Sequence, residues 1–279
     1  MSFTGIFSIG VSSLAAFSKG IEAISSNVAN SDTTGYKRVR ADFAALLATA
    51  RNSPAGTGVS ASARQLFSEQ GAITRDSQTT HVAVAGDGFF VVSRAPGAAQ
   101  AGDLLYTRAG DFRPDAEGNL VNAAGFYLQG APAASGGAIS AQGLQTINVN
   151  RVPAGADPAL LGDLAAVAIG ADGAVNATYA NGETHALFRI PLALFVNADG
   201  LAPAGRTAFS ATAASGAAAI VRAQDGRAGA IEGAALEAST VDLGAEFSAL
   251  IETQRAYSTG ARILSTADEL WRTLVQTAA

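Results

Sequence analysis

Apolar residues near the start of the chain recur with the spacing of a helix that packs along one face. Steps of three and four residues link seven positions in turn: Phe7, Gly10, Leu14, Phe17, Ile21, Ile24 and Val28. Ser12, Ser13, Lys19 and Glu22 fall off this series. Such alternation places side chains along one stripe of an α-helix, as in a coiled coil. The pattern predicts an N-terminal helix whose apolar stripe needs a partner.

The other end of the chain has a second stripe of the same kind. Its positions are Leu243, Phe247, Leu250, Gln254, Tyr257, Ala261, Leu264, Asp268 and Trp271, and Ile251, Leu270 and Leu274 widen the apolar face. The simplest way to cover both stripes is to pack the two ends on each other, in one discontinuous domain. Periodicity leaves two interpretations open, an ordinary helical layer on the protein's own sheet and a self-assembly surface.

Between the two helices the pattern is typical of short strands and turns. Apolar runs at 81–85, 89–92, 104–108 and 119–121 read as strands. Four glycine-containing segments read as hairpin turns that need a positive φ: 115–119, 170–173, 180–182 and 197–200. The fold class is therefore expected to be α+β, with two packed, coiled-coil-like terminal helices and an all-β middle inserted between them.

Composition and charge exclude several classes of protein. The 279 residues include no cysteine, which excludes a disulfide scaffold and thiolate metal sites. The formal net charge is −5, and Lys37–Arg40 is the densest basic cluster, so we expect no nucleic-acid partner. The first positive charge is Lys19, and polar residues break the uncharged stretch 118–150. We therefore expect neither a cleaved signal peptide nor insertion into a membrane.

Few residues are suited to catalysis or to binding a cofactor or metal. His81 lies at the edge of an expected strand, and His185 follows a turn, without a nucleophile motif beside either. Asp268 and Glu269 are adjacent, so on a helix their side chains diverge by about 100°. We expect no enzyme activity, cofactor or metal. The alternative is a secreted β-rich binding module or hydrolase, which would need a cleft of converging titratable groups.

Several segments resemble the axial proteins of the bacterial flagellum, and the flagellar hook protein among them. At the N-terminal end these are 24–30 (Ile-Ser-Ser-Asn-Val-Ala-Asn), 33–37 (Thr-Thr-Gly-Tyr-Lys) and 40–43 (Arg-Ala-Asp-Phe). At the C-terminal end they are 233–239 (Gly-Ala-Ala-Leu-Glu-Ala-Ser), 241–243, 246–247, 253–257 (Thr-Gln-Arg-Ala-Tyr) and 265–269. Segments 67–71, 84–91, 106–112, 118–123 and 128–130 are similar to landmarks of the family's β domain. The resemblance covers nearly the whole chain.

The resemblance implies a structural subunit that polymerises helically into a flexible curved tube, the hook, which joins the rod to the filament and transmits torque. A subunit of the distal rod is the alternative. The family also implies export, without a cleaved signal peptide, through the flagellar type III apparatus to the extracellular hook. Its implied partners are further copies of itself, the distal rod protein, the hook cap, the hook–filament junction protein and the hook-length control protein.

The domain boundaries expected from this resemblance divide the chain into three parts. Residues 1–68 and 228–279 would form the helical inner domain with a connecting arm, 69–140 and 190–227 a β domain, and 141–189 a reduced outer β domain. His81 and Thr240 depart from the residues usual in the family.

Seventeen residues are candidates for subunit contacts or assembly: Phe7, Leu14, Phe17, Ile21, Ile24, Asn27, Val28, Asn30, Gly35, Leu243, Phe247, Leu250, Gln254, Arg255, Tyr257, Leu264 and Trp271. Asn27 and Asn30 can cap backbone groups or adopt left-handed conformations, and Gly35 can end the first helix. Gln254 interrupts the apolar stripe, so it either specifies register between subunits as a buried polar residue or faces a solvent-lined channel.

Overall fold

The computed structural model describes residues 3–46, 58–98, 100, 102–133, 139–153, 157 and 161–278. These residues belong to two compact units. Met1–Ser31, Lys37–Leu66 and Val241–Ala279 make up the first, which we call the helical unit. Asp32–Tyr36 and Phe67–Thr240 make up the second, the β unit. The α+β class expected from the sequence is confirmed, whereas the three-part division of the chain stays a prediction.

Two long helices occupy the two ends of the chain, as the stripes predict. Helix α1 spans Phe3–Ala29 and helix α2 spans Leu243–Ala278. The carboxylate of Asp242 accepts hydrogen bonds from the backbone N–H groups of Gly244 (2.8 Å) and Ala245 (3.2 Å), so it caps the start of α2. At the other helix, Asn30 donates from its side-chain amide to the carbonyl of Ser26 and closes the last turn.

The two helices pack antiparallel, and glycines allow their close approach. A Cβ atom on Gly10 would lie 2.4 Å from Leu264 Cδ2, and one on Gly260 would lie 3.3 Å from Leu14 Cδ2. Near the opposite end of the contact, a Cβ atom on Gly20 would lie 3.4 Å from Thr253. Larger residues at these glycines would push the helix axes apart.

A β hairpin follows α1 in the chain. Strands β1 (Val39–Leu46) and β2 (Gly58–Gln65) pair antiparallel, with Val39 opposite Gln65 and Leu46 opposite Gly58. The hairpin packs on α1, where the backbone N–H of Val59 donates to Ser12 Oγ at 3.2 Å. The rings of Phe17 and Phe43 also meet, with centroids 6.0 Å apart.

The β unit confirms the all-β middle. Its strands are β3 (Ile73–Arg75), β4 (Val82–Ala85), β5 (Phe89–Ser93), β6 (Leu105–Thr107), β7 (Arg113–Pro114), β8 (Leu120–Val121), β9 (Tyr127–Pro132), β10 (Gln145–Thr146), β11 (Leu164–Ile169), β12 (Ala174–Tyr179), β13 (Thr184–Arg189), β14 (Pro191–Leu194), β15 (Ala202–Gly205), β16 (Ala208–Ser210), β17 (Ala219–Arg222), β18 (Ala230–Gly233) and β19 (Ala235–Glu237). Short 3-10 turns occur at Ala141–Gly143 and Ala198–Gly200.

Most of these strands join one antiparallel sheet, with the central order β11-β12-β13-β9-β5-β6-β16-β15. Two smaller pairs, β18 with β4 and β19 with β3, connect segments that lie far apart in sequence. The last strands of the unit therefore pair with its first strands. No local sequence pattern specifies this pairing.

Three of the four predicted hairpin turns contain the expected positive φ, at Gly118 (87°), Gly173 (79°) and Gly182 (86°). The prediction for 197–200 is wrong. That segment forms a 3-10 turn, and Gly200 is not among the residues with positive φ. The backbone of Ala214 and Ser215 lies about 2.6 Å from where a Cβ atom on Gly200 would be, so close packing explains this glycine.

Two hydrophobic clusters form the core of the β unit. The larger one includes Val82, Phe90, Phe112, Leu128 and Phe188, all of which are almost completely buried. The second is mainly aromatic and contains edge-to-face contacts: Phe67 with Phe209 (4.7 Å between centroids), Tyr106 with Phe195 (4.8 Å) and Phe67 with Phe89 (5.6 Å). Such pairs stabilise a core beyond simple area burial.

Candidate functional site

The predicted stripe of α1 is largely covered within the helical unit. Ile24 is buried, and five other members are half-buried: Phe7, Leu14, Phe17, Ile21 and Val28. Because both α2 and the β1–β2 hairpin contact this helix, its apolar face has partners inside a single chain. The first stripe therefore serves the fold of the subunit.

Most of the predicted stripe of α2 is exposed instead. Leu243, Phe247, Tyr257 and Trp271 keep 42%, 50%, 40% and 50% of their surface accessible. Gln254 and Arg255 are also exposed, while Leu250 and Leu264 are half-buried. Gln254 therefore lies outside the contact between α2 and α1, and its role in register between subunits or at a channel stays a prediction.

The face of α2 that meets α1 follows a different series of positions. Its most buried residues are Glu246, Gly260 and Ala267, with Thr253 half-buried between them. These four residues recur every seven positions, and we call them the seam. Thr253, Gly260 and Ala267 are small, which allows the helices to approach closely, and Leu264 of the predicted stripe lies against Gly10 of α1.

As a result, α2 presents an unusual amount of apolar surface to solvent. Nine large apolar side chains on this helix are at least 40% exposed: Leu243, Phe247, Ile251, Tyr257, Ile263, Leu270, Trp271, Leu274 and Val275. Exposed large apolar side chains in this number on one helix indicate an interaction surface. It is the strongest candidate for a functional surface among the described residues.

Asn27 has a specific role in the helical unit. Its side-chain amide donates to the carbonyl of Val39 at 2.8 Å, and its Oδ1 accepts the backbone N–H of Val39 at 2.8 Å. The side chain is buried and thus pairs with the first residue of β1 as a neighbouring strand would. Neither Asn27 nor Asn30 is among the non-glycine residues with positive φ, so the left-handed option is wrong and hydrogen bonding explains both residues.

Asn27→Ala is expected to lower the free energy of unfolding of the helical unit by about 2 kcal/mol, since two backbone groups of Val39 lose a buried partner. The fluorescence of Trp271, the single tryptophan of the chain, reports the unfolding of this unit in urea. Asn30→Ala is the matched control, because the Asn30 amide makes its bond to Ser26 at an exposed site. Equal effects of the two substitutions would contradict the proposed role of Asn27.

Gly35 is required by close packing within the β unit. Its φ is +66°, and a Cβ atom there would lie 2.5 Å from backbone atoms of both Arg108 and Ala109. Its N–H donates to the carbonyl of Glu237 at 2.8 Å. This glycine therefore lets the segment after α1 lie directly against two other segments that resemble the family.

A buried ion pair lies beside this contact. Glu237 Oε2 is 3.3 Å from Arg108 Nη1, and Glu237 Oε1 accepts the N–H of Gly71 at 2.9 Å. Arg108 also donates to the carbonyl of Gly86 at 2.9 Å, and its guanidinium lies 5.2 Å from the ring centre of Phe89. Burial lowers the pKa of Arg108, and the charge of Glu237 opposes that shift.

Sequence reasoning missed this pair. The signal available in the sequence is a carboxylate, Glu237, within a short apolar segment. The structure buries this side chain completely. Without a topology, the arginine that compensates it could not be identified. A second missed pair lies in the helical unit, where Arg38 Nε contacts the buried carboxylate of Glu246 in the first turn of α2.

The two histidines each pair with a carboxylate. His81 is buried, and its Nδ1 is 2.9 Å from Asp76 Oδ2. This hydrogen bond, with a further one from the backbone of Gln78, lowers the pKa of Asp76 to about 2. His185 Nε2 is 3.2 Å from Glu183 at an exposed turn, and this contact lowers the pKa of that glutamate.

The Asp76–His81 pair predicts a specific dependence of stability on pH. Because the native state holds the pKa of Asp76 below its ordinary value, the ionised carboxylate stabilises the fold above about pH 4, and this contribution disappears as the pH falls towards 2. Asp76→Asn should therefore flatten the decline of the unfolding free energy over this range, measured by urea titrations at each pH. Identical declines in the variant and the parent protein would contradict the prediction.

The described residues do not support a metal site or a membrane-spanning helix. No group of three or more His, Asp or Glu side chains in the described ranges is placed to hold a metal ion. No helix in the described part of the chain is long and apolar enough to span a membrane.

Comparison with known proteins identifies the family of this chain. A model of the flagellar hook protein FlgE/F/G D1 domain matches residues 83–177. A model of the flagellar basal body rod FlgEFG protein C-terminal region matches residues 232–277, and one of the flagella basal body rod protein matches residues 7–37. The three matches include both helices and most of the strands of the central sheet.

Curated relatives carry two different names. The flagellar hook protein FlgE of Brucella abortus is 38% identical over 165 residues, which is 58% of this chain and 40% of that protein. The flagellar basal-body rod protein FlgG of Agrobacterium fabrum is 30% identical over 279 residues, 94% of this chain and 95% of that protein. FlgG of Bacillus subtilis is 29% identical over 95% of this chain. The chain belongs to the flagellar hook and basal-body rod protein family.

Proposed function

We propose that the chain is a structural subunit of the flagellar hook, which polymerises with copies of itself into a flexible curved tube between rod and filament. The exposed apolar surface of α2 carries this proposal. Large apolar side chains that remain half-exposed in one chain gain a favourable transfer free energy when a neighbouring chain covers them. Assembly then stabilises the terminal helices, because a neighbouring chain binds only their ordered state.

The role proposed is structural, without catalysis or a cofactor. Export through the flagellar type III apparatus without a cleaved signal peptide, and location in the extracellular hook, belong to the same proposal. So do contacts with the distal rod protein, the hook cap, the hook–filament junction protein and the hook-length control protein. The higher identity to proteins named hook FlgE, 38% for the Brucella abortus protein, favours hook over rod.

A subunit of the distal rod is the second candidate, and one observation favours it. The chain aligns with FlgG of Agrobacterium fabrum almost from end to end, over 95% of that protein, whereas the alignment with the hook protein of Brucella abortus spans 40% of it. A chain of this size is thus closer to a rod protein in length. The two candidates differ in the shape of the polymer, since a rod is straight and a hook is curved.

Electron microscopy of the purified full-length chain at increasing concentration tests both candidates. We expect tubes from the parent chain and none from Phe247→Ser combined with Leu270→Ser, which removes two exposed apolar side chains of α2. Val196→Ser is the matched control, because it removes a 91% exposed apolar side chain of the β unit. Curved tubes would support hook and straight tubes rod, whereas a parent chain that stays monomeric would overturn both.

A further inference from the structure

The chain contains a single Asn–Gly dipeptide, Asn181–Gly182, at the exposed turn between β12 and β13. Asparagine deamidates most readily before glycine, because no Cβ atom hinders the backbone nitrogen of the following residue. In this reaction the nitrogen of Gly182 forms a bond to Cγ of Asn181. Ammonia leaves with the proton of that nitrogen, and a succinimide ring results. Water then opens the ring to aspartate or isoaspartate, either of which adds one negative charge.

The turn holds both groups that must react. The N–H of Gly182 donates to the carbonyl of Tyr179 at 2.9 Å. Oδ1 of Asn181 accepts the N–H of Glu183 at 2.9 Å, so the side chain is fixed in an Asx turn. Attack requires the nitrogen of Gly182 to give up its hydrogen bond, and the side chain of Asn181 to leave its position. The ring therefore closes only when the turn opens.

Residues 161–163, which precede β11, tie the turn to the core, and we call them the anchor. The N–H of Ala180 donates to the carbonyl of Asp163 at 2.9 Å, and the N–H of Asn181 donates to that of Leu161 at 3.4 Å. The side chain of Leu161 is 3% exposed and belongs to the larger hydrophobic cluster. Opening of the turn is thus opposed by bonds to a segment that is packed in the core.

We propose that Asn181 is a deamidation site whose reaction is controlled by folding. The β12–β13 hairpin and the anchor protect this residue in the native chain, and it reacts in chains that unfold. Isoaspartate adds a carbon atom to the backbone of the turn, which disturbs the register of β12 and β13. Deamidated chains therefore refold less completely than chains with an intact Asn181. This inference is independent of the proposed function.

Peptide mass mapping of the full-length chain tests the protection. The chain is incubated in mildly alkaline buffer, with and without concentrated guanidinium chloride, and the deamidated fraction at Asn181 is followed over time. We expect the native chain to react at least about tenfold more slowly than the unfolded chain. Asn197, which is exposed and precedes an alanine, is the matched control and should stay intact in both samples. Equal rates at Asn181 in the two samples would overturn the proposal.

Two further variants test the chemistry and the anchor. Gly182→Ala should suppress the reaction at Asn181 in denaturant, where folding plays no part, and an unchanged rate would exclude the nitrogen of this residue as the attacking group. Leu161→Ala should accelerate deamidation several-fold in native buffer, because it loosens the anchor. Leu105→Ala is its matched control, since it removes a buried leucine of the same cluster, in β6. Equal acceleration by the two leucine variants would overturn the role of the anchor.

Discussion

Glu237→Gln is expected to lower the free energy of unfolding of the β unit by about 3 kcal/mol. The substitution preserves the size of the side chain and an acceptor for the N–H of Gly71, but it leaves the guanidinium of Arg108 buried without its counter-charge. Removing one member of a buried ion pair is costly because the remaining charge has lost its hydration as well. The loss should be visible in urea unfolding followed by tyrosine fluorescence, since Tyr36, Tyr106, Tyr127 and Tyr179 all belong to this unit.

Asp172→Asn is the matched control for this substitution. Asp172 also pairs with an arginine at 3.3 Å, Arg189, but the two side chains are 48% and 36% exposed. Solvent screens such a pair, so the expected loss is below about 1 kcal/mol. Comparable losses for the two variants would show that the buried position of Glu237 does not matter.

Gly35→Ala is expected to lower the free energy of unfolding of the β unit by about 3 kcal/mol. Two effects combine, since a side chain is disfavoured at a φ of +66°, and its Cβ atom would lie 2.5 Å from the backbone of Arg108 and Ala109. The backbone of Arg108 and Ala109, directly after β6, cannot move aside as a flexible side chain can. The N–H of Gly35 should also exchange faster with solvent, because its bond to the carbonyl of Glu237 weakens.

Gly125→Ala separates the two effects. Gly125 has a φ of +88°, and a Cβ atom there would have nothing within 4 Å. This control therefore measures the conformational cost alone, about 1 kcal/mol. If both alanine variants lose the same stability, the close approach at Gly35 is not what requires a glycine there.

The sequence indicates the importance of Gly35 and of Glu237 to different extents. Gly35 lies in a segment that resembles the family, but the pattern alone suggests only that it ends the first helix. The structure shows that it packs against residues more than 70 positions away in the chain. The role of Glu237 depends on Arg108, 129 positions away, and no periodicity links the two.

The exposed surface of α2 illustrates the same limit within a single helix. The 3-4 alternation correctly predicts a helix over this segment, but it does not reveal which flank faces α1. Large side chains at Phe247 and Trp271 suggest an inward face, while Gly260 and Ala267 form the actual contact. Periodicity shows where apolar residues concentrate, and in α2 most of these residues lie outside the contact with α1.

The sequence by itself determined the α+β class, the two terminal helices and the strand-rich middle, because helical and strand periods are local properties of the chain. It also determined three hairpin turns, since glycine at a positive φ is a local requirement. Only the tertiary structure decided the pairing of β3 and β4 with the late strands β19 and β18, the Asn27 contact with Val39, and the ion pair of Arg108 with Glu237. These contacts depend on residues that the chain brings together over long distances, and their energies arise from packing and burial that no local pattern contains.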